Sequence, residues 1–135
     1  MRKLSRKTFL LSGAALAAGT AASAMPLAGD QKKYPVIHHA LFWLKNPESV
    51  EDRAKLVAGV KTLAKIKTVK ELRVGVVAST EKREVVDNSW AVSELMFFDN
   101  LEGQAAYQTD PIHLEFIKNC EHLWEKVIVY DAIEA

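Results

Sequence analysis

A phenol and an imidazole six residues apart, Tyr107 and His113, stand in the segment YQTDPIHLEFIKNCEHLWEK with Asp110-Pro111 between them. Asp110 suits the N-cap of a helix and Pro111 its first residue, because proline has no N–H to leave unpaired. His113 then falls in the first turn, where unpaired backbone N–H groups make the potential positive and disfavour an imidazolium. A neutral imidazole can take a proton from carbon alpha to a carbonyl, and a phenol can donate to the enolate oxygen that develops. Two further residues could join this pair. His38 shares a face with Ala40, Phe42 and Leu44, while its neighbour His39 points the other way with Leu41 and Trp43. Glu94 stands between Val92 and Met96 in an apolar run. A buried carboxylate without a partner is costly, so Glu94 is expected to pair with a His or Lys in a cavity; the competing reading is an exposed stretch of strand.

Other chemistries find less support. His38, His113, Glu94 and His122 are the metal-ligand candidates, and none has a recognised metal spacing. No phosphate-cradling glycine loop, dinucleotide fingerprint or nucleophile elbow occurs. No cofactor is expected. Cys120, the one cysteine, rules out an intramolecular disulfide and reads as a small buried hydrophobe.

The elements that must position these side chains follow from periodicity. Val36 to Leu44 reads as a strand. Asn46-Pro47-Glu48 reads as a helix start, and the helix runs to about Ile66 with an apolar stripe of Val50, Ala54, Val57, Val60 and Ala64, widened by Leu56 and Leu63. Val69 to Val77 and Trp90 to Phe98 read as strands around a charged loop. Asn100 caps a short helical piece through Tyr107, a second helix runs from Pro111 to about Trp124 with stripe Ile112, Phe116, Cys120 and Leu123, and Val127 to Ile133 is the last strand. The order β-α-β-β-α-β predicts an α+β, ferredoxin-like fold: a four-stranded antiparallel sheet with both helices on one face. Both sets of alternating residues on the third strand are largely apolar, so the face without helices is expected to pair with a second copy as a homodimer.

Residues 1–24 read as an export signal. Arg2, Lys3, Arg6 and Lys7 precede an apolar run too short for a membrane span, and Ala22-Ser23-Ala24 matches a small-x-small cleavage site. Ser5 to Leu10 resembles a twin-arginine signal with Lys in the place of the second Arg. The expected organisation is therefore a signal over 1–24, a linker over 25–34 and one domain over 35–135, in a periplasmic or secreted protein without a stable membrane anchor. Beyond the signal, 14 Lys+Arg stand against 17 Asp+Glu, a net charge of −3, which argues against a nucleic-acid binder.

Four segments together, VIHHALFWLK, SELMFFDN, Tyr107 with Asp110-Pro111-Ile112-His113, and LWEKVIVYD, resemble the stress-responsive dimeric α/β-barrel (Dabb) family over about residues 35–133. The resemblance implies subunits packed sheet to sheet. It also implies a likeness to a plant polyketide cyclase of the family, which closes its product by aldol condensation without metal or cofactor and uses a Tyr and a His in the motif Tyr-x-x-His-Pro-x-His. By that likeness Tyr107 and His113 are the working pair, His38 matches the strand-one His, and Ala40, Phe42, Leu56, Val57, Val60, Phe116, Val127 and Val129 line the pocket. Asp110 replaces the first His of the motif, and Glu94 takes an apolar position, where its charge would repel an acidic polyketide. The readings are a small, partly apolar ligand held in a cavity between sheet and helices, a cofactor-free acid/base enzyme (cyclase, isomerase or lyase on a carbonyl substrate), or an interaction module with no ligand; an enclosed cavity of roughly 300 Å³ or more around His113, Tyr107 and Glu94 favours the first two and a filled core the third.

Overall fold

The computed structural model describes residues 33–135. The expected signal, and all of the expected linker but its last two residues, lie outside them.

Strand β1 (Val36–Leu44) alternates strictly, with Val36, His38, Ala40, Phe42 and Leu44 buried and the residues between them half-buried. Strand β3 (Val92–Phe98) does the same with Val92, Glu94, Met96 and Phe98. With β2 (Glu71–Val76) and β4 (Trp124–Ile133) they form one antiparallel sheet in the order β2-β3-β1-β4. This is the α+β, ferredoxin-like arrangement expected from the sequence. Its two central strands are the first and third in the chain, so the most apolar segments occupy its middle.

Helix α1 (Val50–Lys61) starts later than the sequence suggests. The cap is Ser49, whose hydroxyl accepts from the Asp52 N–H at 3.1 Å, not Asn46. The Asn46 carbonyl instead accepts from the Ser49 N–H at 3.0 Å, closing a turn around Pro47. The apolar stripe is also corrected. Val50, Ala54 and Ala64 are exposed, and the buried row is Leu56, Val60, Leu63 and Ile66. A 3-10 turn over Thr62–Lys65 shifts that row from a spacing of four to three, which small alanines cannot compete with for burial. Gly59 lets α1 approach the next layer closely: a Cβ there would come within 2.5 Å of the Cys120 sulfur.

Helix α2 (Leu101–Thr109) is capped by Asn100, and α3 (Pro111–Cys120) by Asp110, which accepts from the Ile112 N–H at 2.8 Å. α3 ends four residues before Trp124. A 3-10 turn over Glu121–Leu123 follows, and Trp124 opens β4 opposite Leu44, where a bulge in the pairing admits it.

Candidate functional site

The corner between α2 and α3 brings Tyr107 and His113 together. Asp110 ends one helix and caps the next, so the last turn of α2 and the first turn of α3 face each other across one residue. The two rings lie 4.4 Å apart. Near the end of α2 the Gln108 carbonyl accepts from His113 Nδ1 at 3.0 Å. A carbonyl can only accept, so Nδ1 carries the proton. In the neutral form the lone pair of His113 is therefore on Nε2, which has no protein partner among the described residues.

Beneath this corner the sheet supplies a second polar group. Glu94 and His38 are on the covered face of adjacent strands, and His38 Nε2 lies 3.4 Å from Glu94 Oε2. The same oxygen accepts from the Tyr107 hydroxyl at 3.3 Å. On the other side His38 Nδ1 lies 2.7 Å from Asp131 Oδ1, on the edge strand β4. Asp131, His38, Glu94 and Tyr107 thus form a continuous polar chain from the exposed sheet edge into the interior. Glu94 is 2% exposed and His38 4%. Burial pulls the His38 pKa down, but the bonds and charges of Glu94 and Asp131 more than offset it, and the net direction is upward. A carboxylate at each nitrogen suits an imidazolium, in which both nitrogens donate. Burial first, and then the charge and bond of Glu94, push the Tyr107 pKa far up, so it remains a phenol and a donor.

These side chains border a partly open cavity of about 150 Å³. It is about half the size expected from the sequence. Of the expected apolar lining, Ala40, Phe42, Phe116, Val127 and Val129 are present, together with all four polar candidates, His38, Glu94, Tyr107 and His113. Leu56, Val57 and Val60 are not. α1 packs over the β2 and β3 side of the sheet, where Leu56 and Val60 are fully buried in the core and Val57 packs against it. Gln108, Ile117 and Trp124 replace them in the lining. Ile117 was legible as one helical turn beyond His113. Trp124 packs against Phe42 and Phe116 while also walling the cavity. Asp131 was missed, although it shares the period-two face of Val127 and Val129. Cys120 is buried at the α1–α3 contact, as expected, and burial raises its pKa. Among the described residues no group of three or more His, Cys, Asp or Glu is arranged to hold a metal ion.

The sequence pattern of the stress responsive A/B barrel domain matches residues 36–134. Among solved structures, an Arabidopsis thaliana protein is 25% identical, with a TM-score of 0.62 over 75% of this chain and 96% of its own. A hydroxynitrile lyase from Passiflora edulis is 20% identical, with a TM-score of 0.62 over 74% of this chain and 93% of its own. A dimeric ferredoxin-like protein from Bacteroides fragilis is 24% identical, with a TM-score of 0.58 over 73% of this chain and 94% of its own. No curated protein matches the chain.

Proposed function

We propose, from the premise that this chain belongs to the stress responsive A/B barrel domain family, that it is an exported homodimer holding one small, partly apolar molecule in the cavity of each protomer. One observation carries the binding reading. A nearly fully buried carboxylate and an imidazole with a nitrogen unpartnered among the described residues border the same hollow, whose other walls are mostly aromatic and aliphatic. Such a wall is expensive to build and leave empty, and few convergent polar groups in an apolar concavity are the usual mark of a ligand site. A volume near 150 Å³ suits a body about the size of benzene.

The dimer is supported by the dimeric relatives from Bacteroides fragilis and Thermobifida fusca and by the open sheet face, where Ile37, Leu41, Leu95 and Phe97 are only half-buried by their neighbours. Export rests on the basic, apolar and small-x-small pattern of residues 1–24.

The fixed tautomer of His113 favours one second reading, cofactor-free acid/base catalysis of the lyase type. His113 Nε2 takes the proton of a substrate hydroxyl, the carbon–oxygen bond becomes a carbonyl, the adjacent carbon–carbon bond breaks, and the departing carbanion takes up a proton. The Passiflora edulis relative is by name a lyase of hydroxynitriles. In this arrangement the Tyr107 proton is engaged by Glu94, so the phenol positions the carboxylate unless substrate displaces it.

Native mass spectrometry of protein drawn gently from the periplasm tests the reading as a whole. The expected spectrum is a dimer of chains beginning at Met25, carrying one small molecule per chain. A monomeric mass sinks the dimer, an unprocessed chain sinks the export, and a bare chain sinks the occupied cavity. For the second reading, His113→Ala should abolish turnover of a bound hydroxyl substrate while only weakening its binding.

A further inference from the structure

We infer that the ligand of this cavity carries a protonated primary amine on its small apolar body, an inference that rests on the binding reading above. The geometry points there by counting donors and acceptors. The Tyr107 proton goes to Glu94 Oε2, so the phenol oxygen offers lone pairs. The His113 proton goes to the Gln108 carbonyl, so Nε2 offers a lone pair. Glu94 Oε1 has no protein partner among the described residues. His38 spends both nitrogens on Glu94 and Asp131 and offers the cavity nothing. Tyr107, His113 and Glu94 together therefore present three acceptors and no donor, and the N–H donors of the lining belong to Gln108 and Trp124. An ammonium group brings three donors and no acceptor. A hydroxyl brings one donor, and a carboxylate or aldehyde brings only acceptors that would face lone pairs.

Charge leads to the same class. One imidazole, His38, stands between the two carboxyl groups of Glu94 and Asp131, so the cluster holds more acids than bases. Asp131 has a half-exposed side chain and is solvated at the sheet edge, whereas Glu94 is buried beside the cavity. A buried unpaired carboxylate is costly, and a cation seated against it removes that cost. Phe42, Phe116 and Trp124 stand next to one another in the lining of the same hollow and supply aromatic surface for an apolar body.

Isothermal titration of the protein with benzylamine, benzyl alcohol, benzaldehyde and benzoate at neutral pH tests this, since the four share a ring and differ in the head group. Benzylamine is expected to bind at least tenfold more tightly than the other three, and Glu94→Gln, which keeps the shape and removes the charge, is expected to weaken it at least tenfold. Equal or tighter binding of the alcohol, aldehyde or carboxylate overturns the amine assignment and leaves the cavity reading standing. Unchanged benzylamine binding by Glu94→Gln also overturns it. Binding of none of the four by the unmodified protein overturns the cavity reading and this inference with it.

Discussion

The two faces of the sheet use the same strands to opposite ends. On the covered face β1 and β3 contribute Val36, Ala40, Phe42, Met96 and Phe98 to a core that also encloses His38 and Glu94. On the open face they present Ile37, Leu41, Leu95 and Phe97 around one neutral pair, in which His39 Nε2 lies 2.8 Å from the Ser93 hydroxyl. Each face thus holds one histidine in apolar surroundings. The covered one is bracketed by two carboxylates, and the open one meets only a hydroxyl. Ionisable groups are retained where a cavity borders them, and the surface proposed to meet a second copy is kept free of charge at its centre, as interface cores generally are.

The largest effect should come from breaking the open face. Phe97→Glu places one carboxylate on each of two apposed sheets, and two-fold symmetry brings them into the same interface. Self-association should weaken by at least about a thousandfold, or roughly 4 kcal/mol, read by sedimentation velocity, with the far-ultraviolet spectrum unchanged. An unmodified protein that sediments as a monomer at micromolar concentration would end the dimer reading.

Truncating each histidine in turn probes the contrast within one protomer. His38→Ala leaves Glu94 buried with only the Tyr107 phenol beside it, and breaking a buried pair in this way typically costs about 3 kcal/mol or more. His39→Ala removes a neutral hydrogen bond on a half-buried face, a loss of about 1 kcal/mol. Urea unfolding of the two variants should show this order. Equal losses would mean that the ion-paired chain contributes no more than a single hydroxyl contact.

Much of this contrast was legible in the sequence. The alternation in VIHHALFWL put His38 and His39 on opposite faces, and Asp110-Pro111 marked the helix start that carries His113. The face of Glu94 was not, because a one-residue slip of β3 reverses every side chain on it. It took the register Ala40↔Glu94 to seat it beside His38. Of the α1 stripe, Val60 with Leu56 and Leu63 is buried while Val50, Ala54 and Ala64 are exposed, and nothing local told which half of the sheet the helix covers, so nothing in the sequence checked the resemblance that assigned Leu56, Val57 and Val60 to a cavity α1 does not line. Asp131 lay in the right alternation on β4, yet an exposed carboxylate near the end of an edge strand carries no signal of a buried partner 93 residues away. Packing direction and long-range pairing are decided by the assembled layers and not by any window of sequence.

The smallest effect, and the one that separates the faces most cleanly, is the pH dependence of the two adjacent imidazoles. At His38 burial lowers the pKa, but the Glu94 and Asp131 interactions outweigh it and the folded value lies above the ordinary 6.5. Its contribution to stability is therefore fully present below pH 6.5 and is lost as pH rises through the raised folded value. At His39 burial lowers the pKa, the Glu94 charge opposes it and the His38 charge adds to it, and the net direction is downward from 6.5. Its contribution is present above pH 6.5 and is lost as pH falls through the lowered folded value. Proton NMR titration of the two rings should thus give midpoints on opposite sides of 6.5. Covering the open face would desolvate His39 further and leave His38 untouched, so dilution to the monomer should move the His39 midpoint back toward 6.5 without moving that of His38. A shift of both rings together would mean that the second copy also changes the covered face, and a shift of neither would mean that it does not cover His39.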